Sequence, residues 1–193
     1  MIDLYQFHVA YYLPERTGEI LAVLEDLVAE GKIRAYGWST DNPDGALVFS
    51  EGEHCIAVQH NLTVVTDAPE MIRLCEEKQL ASINRSPLGR GLLTGKYTAA
   101  STFPDNDIRS GDSFTDQWAK PILENLEAVR EVLTSGGCTL AQGALRWIWA
   151  YSDATIPIPG FRNIWQLEEN IGALVHGPLS RKEMDQIDQL LSR

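Results

Sequence analysis

Positive charge is scarce in this sequence. Sixteen Lys and Arg stand against twenty-seven Asp and Glu, a formal net charge of −11 at pH 7. A chain that binds nucleic acid or an anionic membrane presents a basic face to the phosphates. Neither partner is therefore expected, and an anionic ligand must be held by local cations rather than by a global field. Cysteine is equally sparse: Cys55, Cys75 and Cys138 are odd in number, far apart and set among apolar residues. This excludes a disulfide framework and a metal cluster, and it gives the expectation of reduced thiols in a cytoplasmic protein. No apolar run approaches the length of a membrane-spanning helix, and the first residues lack the pattern of a signal peptide. No low-complexity tract and no second domain can be marked off.

What is present suits one soluble domain over residues 1–193, long enough to bury a sizeable core. Hydrophobic residues make up 44% and charged residues 22%, as in an ordinary globule. Strand-like runs at 2–7, 33–39, 56–60, 80–84 and 155–158 alternate with segments of helical periodicity. Ile20, Leu24, Leu27 and Val28 mark the first helix, which Gly31 stops; the next start near Asp41 and Pro69. Strands alternating with helices at this spacing imply βαβ units and a parallel sheet. The rhythm breaks between 87 and about 118, a stretch rich in Gly, Asp, Ser and Thr, and a loop of that length is usually functional or mobile. Helices then follow on Ile122, Leu126, Val129 and Leu133, from Thr139 to about Ala150, from Asn163, and from Ser180, whose Glu183 completes a capping box. Five βα units fit either an open doubly wound sheet or the last five units of an eight-unit barrel, which normally needs about 250 residues.

Residues 155–170 (TIPIPGFRNIWQLEEN) concentrate the most chemistry. A short apolar run closes on Pro159 and Gly160, and a helix begins near Asn163. Ile164, Leu167, Ile171 and Leu174 keep helical spacing and give that helix an apolar face expected to be buried. A strand, a turn, an arginine (Arg162) and a helix N-terminus together suit an anion. The same residues are also read as a plain helix cap, with Asn163 at the N-cap and Gln166 three residues on. Residues 86–96 (SPLGRGLLTGK) form a second Gly-rich stretch. Its glycines permit close backbone approach, and Arg90 with backbone amides suits phosphate. Its spacing is neither that of a P-loop nor that of a Rossmann fingerprint.

Both stretches, in this order, resemble the aldo/keto reductase family, and the resemblance runs from that family's fourth barrel strand to its C-terminal helix. It implies an incomplete (β/α)8 TIM barrel of about five C-terminal βα units plus a C-terminal helix. It implies an NADPH-linked oxidoreductase that reduces aldehydes or ketones, with NADP(H) as cofactor, NAD(H) as the alternative, and a small-molecule carbonyl as substrate. Carried residue by residue, His8 after the first strand matches the catalytic histidine that orients the carbonyl. Ser39 and Gln59 match the nicotinamide carboxamide contacts, with Thr40 in place of an asparagine. Ser86, Leu88 and Arg90 lie on the loop over the pyrophosphate. Glu169 and Asn170 match the adenine contacts. Gly160 and Gln166 stand where many members carry lysine and arginine for the 2′-phosphate, and Arg162 supplies charge there instead. Arg85 replaces the aromatic that stacks on the nicotinamide. The family's tyrosine acid, lysine and aspartate belong to the first three βα units, and neither Tyr11, Tyr12 nor Lys32 matches them. The expectation is a C-terminal fragment, inactive alone and prone to associate with itself through exposed barrel edges. The alternative is a catalytically dead fragment that binds a cofactor or a protein.

Overall fold

A computed structural model describes residues 1–9, 12–13, 16–98, 100–107, 109–110 and 116–193. The chain forms two compact units, the first of residues 1–61, 68–85 and 154–156, the second of residues 62–67, 86–153 and 157–193.

The first unit carries the sheet. Its strands are β1 (Ile2–Phe7), β2 (Ile33–Ser39), β3 (Cys55–Asn61), β4 (Ala81–Arg85) and β5 (Thr155–Pro157). They lie in the order β1-β2-β3-β4-β5, and the first three neighbouring pairs are parallel. Ser82 N–H donates to Ala154 O at 2.8 Å beside the last strand. Each strand thus lies next to its predecessor in sequence. A doubly wound sheet would reverse its strand order at a switch point, whereas a β/α barrel does not. The order therefore decides between the two architectures that the βα rhythm left open.

Helices α1 (Thr17–Ala29), α2 (Pro43–Phe49) and α3 (Pro69–Glu77) supply the crossovers. Asn42 caps α2 by accepting the N–H groups of Asp44 and Gly45. The core is an aromatic layer in which Trp38 and Phe49 lie 5.3 Å apart between ring centroids, with Phe7 stacked on Phe49 at 6.1 Å. Around it pack Leu24, Ile33, Tyr36, Val58, Met71 and Leu80. Gly37 is required where it stands. The β2–β3 register shifts between Tyr36 and Gly37, and a Cβ at Gly37 would meet Ala57 O at 2.5 Å. Cys55 and Cys75 are buried and unpaired, as is Cys138 in the second unit. Burial pushes the Cys55 thiol up to about 11 and the Cys75 thiol up to about 12, so neither of these two is a nucleophile at neutral pH.

The second unit is helical. It holds a 3₁₀ turn (Gly89–Thr94), α4 (Asp116–Leu133), α5 (Leu140–Tyr151), α6 (Ile164–His176) and α7 (Arg181–Leu190). Thr139 with Gln142 and Ser180 with Glu183 both form reciprocal capping boxes. Hydrogen bonds from Ser135 and Ser180 hold the Glu183 carboxyl down at about 2. The stretch without periodicity gains the turn at 89–94, while positions 99, 108 and 111–115 of it lie outside the described residues. One expectation is overturned. Most of the apolar stripe of α6 is not buried: Ile164, Ile171 and Leu174 are exposed and Leu167 is half-buried, while Asn170 and Ala173 are the buried positions. The helix turns its small and polar face to α5, where Gln142 Nε2 donates to Glu169 O at 3.1 Å.

Candidate functional site

In the second unit, eight of the residues singled out in the sequence line one cleft of about 450 Å3: Ser86, Leu88, Arg90, Gly160, Arg162, Gln166, Glu169 and Asn170. The backbone is shaped for close approach. Ser86 (φ 52°) and Arg90 (φ 53°) adopt left-handed conformations that non-glycine residues seldom take, and Gly91 (φ 96°) follows. Such strained positions cluster where a ligand is clamped. Across the cleft, Asn163 accepts the N–H of Gln166 at 2.9 Å, and Gln166 Oε1 accepts the N–H of Arg162 at 2.7 Å. The cap reading of Asn163 is therefore correct, and it also fixes the turn that carries Arg162. Gly160 has open space where a Cβ would stand.

Sequence reasoning included Lys96 in the 86–96 stretch without giving it a role of its own, and it missed the lining residues Tyr97 and Arg109. Lys96 Nζ lies 4.5 Å from the centroid of the Trp165 ring. Arg109 is sandwiched against aromatics, 4.2 Å from the Phe103 ring and 4.9 Å from the Tyr97 ring. Its guanidinium grips Asp107 through Nε (2.8 Å) and Nη2 (2.6 Å), while its backbone N–H reaches the same carboxylate at 3.0 Å. These bonds from Arg109 hold the Asp107 carboxyl far below the usual carboxylate range, and hydrogen bonding to Asp107 raises Arg109 in turn. Arg162 Nη2 lies 3.5 Å from the same Asp107. Four cations, Arg90, Lys96, Arg109 and Arg162, thus line the cleft beside one lining carboxylate, Glu169. Asn170 is buried there, and its Nδ2 has no hydrogen-bond partner among the described residues. A buried donor left unpaired costs about 1–3 kcal/mol, so a ligand acceptor is the natural complement.

In the first unit the remaining candidates stand at the C-terminal ends of the strands. Ser39 and Gln59 are register partners, the first buried and the second half-buried. His8 follows β1 and is exposed. Gln6 is half-buried on β1, and its two buried amide atoms have no partner among the described residues. Arg85, at the end of β4, forms an ion pair with Asp41. Asp41 Oδ1 accepts the N–H of Asn61 at 2.7 Å. Beneath that peptide lies a buried polar chain. His60 Nδ1 meets Asn61 O at 3.1 Å, His60 Nε2 meets Ser82 Oγ at 2.7 Å, and Asn84 Nδ2 donates to Ser82 Oγ at 2.8 Å. A carbonyl only accepts, so Nδ1 carries the proton and the Ser82 hydroxyl donates to Nε2. Burial keeps His60 below its usual pKa, and it stays neutral. Tyr11 lies outside the described residues. No described helix is long and apolar enough to cross a membrane.

Comparison with known proteins identifies the family and the fold. The model of the Aldo/keto reductase family matches residues 1–192. An aldo-keto reductase named for NADP(+) from Schizosaccharomyces pombe is 30% identical over 177 residues, 85% of this chain and 52% of that protein. The chain thus spans about half the length of that relative. The glycerol dehydrogenase AKR11B4 from Gluconobacter oxydans superposes on the whole chain and on 59% of its own, with 26% identity and a TM-score of 0.84. An aldo-keto reductase from Klebsiella pneumoniae, solved in complex with NADPH, covers 98% of this chain and 58% of its own at 25% identity and a TM-score of 0.67. The parallel α/β sheet described above is the one that these TIM-barrel relatives share.

Proposed function

The chain belongs to the aldo/keto reductase family, and from that premise we propose that its second unit holds the 2′-phosphorylated adenosine end of NADP(H) in service of carbonyl reduction. The observation that carries this reading is the cleft itself. It joins four cations, a left-handed backbone turn and the unpartnered Asn170 donor. That donor set fits a nucleotide: cations for phosphate, a side-chain amide for a ring nitrogen. Arg162 takes the 2′-phosphate, Glu169 and Asn170 the adenine, and Ser86, Leu88 and Arg90 the pyrophosphate. The local cations answer the problem posed by a net charge of −11. They favour NADPH over NADH, because only the former carries the extra phosphate.

In the first unit, Ser39 and Gln59 are assigned to the carboxamide of the nicotinamide and His8 to the carbonyl oxygen of a small aldehyde or ketone. When bound, the cofactor supplies the hydride. His8 orients and polarises the carbonyl by donating a hydrogen bond as negative charge develops on the oxygen. No residue matches the family's tyrosine proton donor. General acid catalysis is typically worth about 10²–10⁴ in rate, so the 193 residues alone are assigned no carbonyl reduction above background. The exposed apolar residues Ile2 and Tyr5 on β1, Ile156 on β5 and the α6 stripe favour self-association of the isolated chain.

Titration calorimetry with 2′,5′-ADP and 5′-AMP tests the assignment without the nicotinamide. The bisphosphate should bind about tenfold more tightly or better, the scale of one charge-assisted hydrogen bond. Equal affinities, or no binding of either, would overturn it.

A further inference from the structure

Arg162 does not stand alone at the mouth of the cleft. Its side chain is 74% exposed, and its Nη2 lies 3.5 Å from Asp107, a loose contact. Asp107 is placed quite differently. Only 12% of its side chain is exposed, and it takes three hydrogen bonds from Arg109, at 2.6, 2.8 and 3.0 Å. Arg109 is in turn 8% exposed and pressed on the Phe103 and Tyr97 rings. One partner of the Arg162–Asp107 contact is therefore fixed and the other is free to turn.

From this asymmetry we infer that Asp107 is a specificity-determining residue, a built-in anion that competes with the 2′-phosphate of the ligand for Arg162. The inference rests on the reading that this cleft binds 2′-phosphorylated adenosine. A phosphate arriving at Arg162 meets a guanidinium already partly neutralised and a fixed negative charge beside it. Two charges a few ångströms apart near a protein surface interact strongly enough to shift an affinity severalfold. Asp107 therefore lowers the preference for a 2′-phosphate below what the four cations would otherwise give. Asp107 touches Arg162 and is not among the residues that line the cleft, so it acts on the 2′-phosphate that Arg162 would take and not on the adenine. Arg109 keeps Asp107 charged and in place, so the penalty persists at every physiological pH.

Asp107→Asn removes the negative charge in a side chain of the same size and leaves one acceptor oxygen, enough for the two bonds that Oδ1 takes from Arg109. Calorimetry on this variant should show 2′,5′-ADP binding about three- to tenfold more tightly than in the parent protein, with 5′-AMP changed less than twofold. Unchanged affinities, or affinities for both ligands that fall together, would overturn the inference, the latter by showing that Asp107 is only a scaffold. A parent protein that shows no preference for 2′,5′-ADP over 5′-AMP would overturn the underlying reading of the cleft, and the inference with it. A second measurement does not depend on the variant folding. In the parent protein the Arg162 guanidinium NMR signals should shift on adding 2′,5′-ADP but not 5′-AMP, while those of Arg109 stay. Arg162 signals that ignore the bisphosphate, or Arg109 signals that move with them, would overturn it equally.

Discussion

The two units place their polar groups by different means. In the first, strand register does the placing. Ser39 faces Gln59 across β2 and β3, and Asn61 faces Arg85 across β3 and β4. Their positions follow from backbone hydrogen bonds that the aromatic layer behind the sheet makes rigid. In the second, side chains place side chains. Arg109 holds Asp107, aromatic rings hold Arg109, and Gln166 holds the backbone of Arg162. The first arrangement is stiff and its polar residues are largely neutral. The second is charged, and its ion pairs can be exchanged for those of a ligand. An anion site needs the second property, since its cations must be satisfied both with and without the anion.

If this contrast is right, damage to the first unit should appear as lost stability and damage to the second as lost binding. The largest effect is expected from Trp38→Ala. Trp38 is buried at 1% exposure, packs on Phe7 and Phe49 and donates Nε1–H to Val9 O at 2.9 Å. Its truncation should cost about 3–5 kcal/mol in urea unfolding. Loss of 2′,5′-ADP binding by a still folded variant would break the contrast. Next comes Arg162→Ala, which should leave the melting profile unchanged and reduce the preference for 2′,5′-ADP by about tenfold, or about 1.4 kcal/mol. A lower melting temperature would show that Arg162 is structural.

A third effect sharpens the account of the first unit. His60 has its folded pKa lowered below 6.5 by burial, so the unfolded chain binds the proton more readily and stability falls as pH drops below 6.5. A second, more acidic step belongs to Glu25. Burial alone would raise its pKa, but hydrogen bonds from Tyr36 and His54 outweigh burial and hold it below 4.5. Its contribution is complete above 4.5 and is lost as pH falls through the lowered value. Urea unfolding between pH 7.5 and 5.5 should weaken in the parent protein and stay flat in His60→Gln; identical slopes would refute the assignment. The smallest effect is Thr139→Ala, which removes the capping box of α5. It should cost about 1 kcal/mol and leave nucleotide binding intact.

Much of this architecture could be read before any coordinates. Period-2 and period-3.6 patterns located the strands and helices, and the Ser180–Glu183 box is a purely local signal. Local signals also brought the cleft together, because the 86–96 and 155–170 stretches each supply lining residues from a few consecutive positions. What escaped was non-local. Asp41 meets Arg85 across 44 positions, and nothing in the spacing of either announces the other. Arg109 sits in a stretch without periodicity, so no face could be assigned to it. The α6 stripe failed for another reason. Periodicity reports which face of a helix is apolar, whereas burial depends on whether anything packs there, and Ile171 and Leu174 remain exposed.

The buried chain under Asn61 has a consequence at the surface. Its hydrogen bonds all point one way: Asn84 to Ser82, Ser82 to His60, His60 to the carbonyl of Asn61, while the N–H of the same residue holds Asp41. The Asn61 carbonyl thus fixes the tautomer of the imidazole, the Ser82 hydroxyl complements it at Nε2, and the imidazole anchors the peptide that aims a carboxylate at Arg85. Ser82→Ala would leave Nε2 without its hydroxyl donor, with only the Asn84 amide at 3.5 Å, and would loosen the hold on the ring. A change hidden beneath the sheet would then be felt as a loosened guanidinium at the end of β4, so the electrostatics of that strand end are set by a residue that no solvent molecule touches.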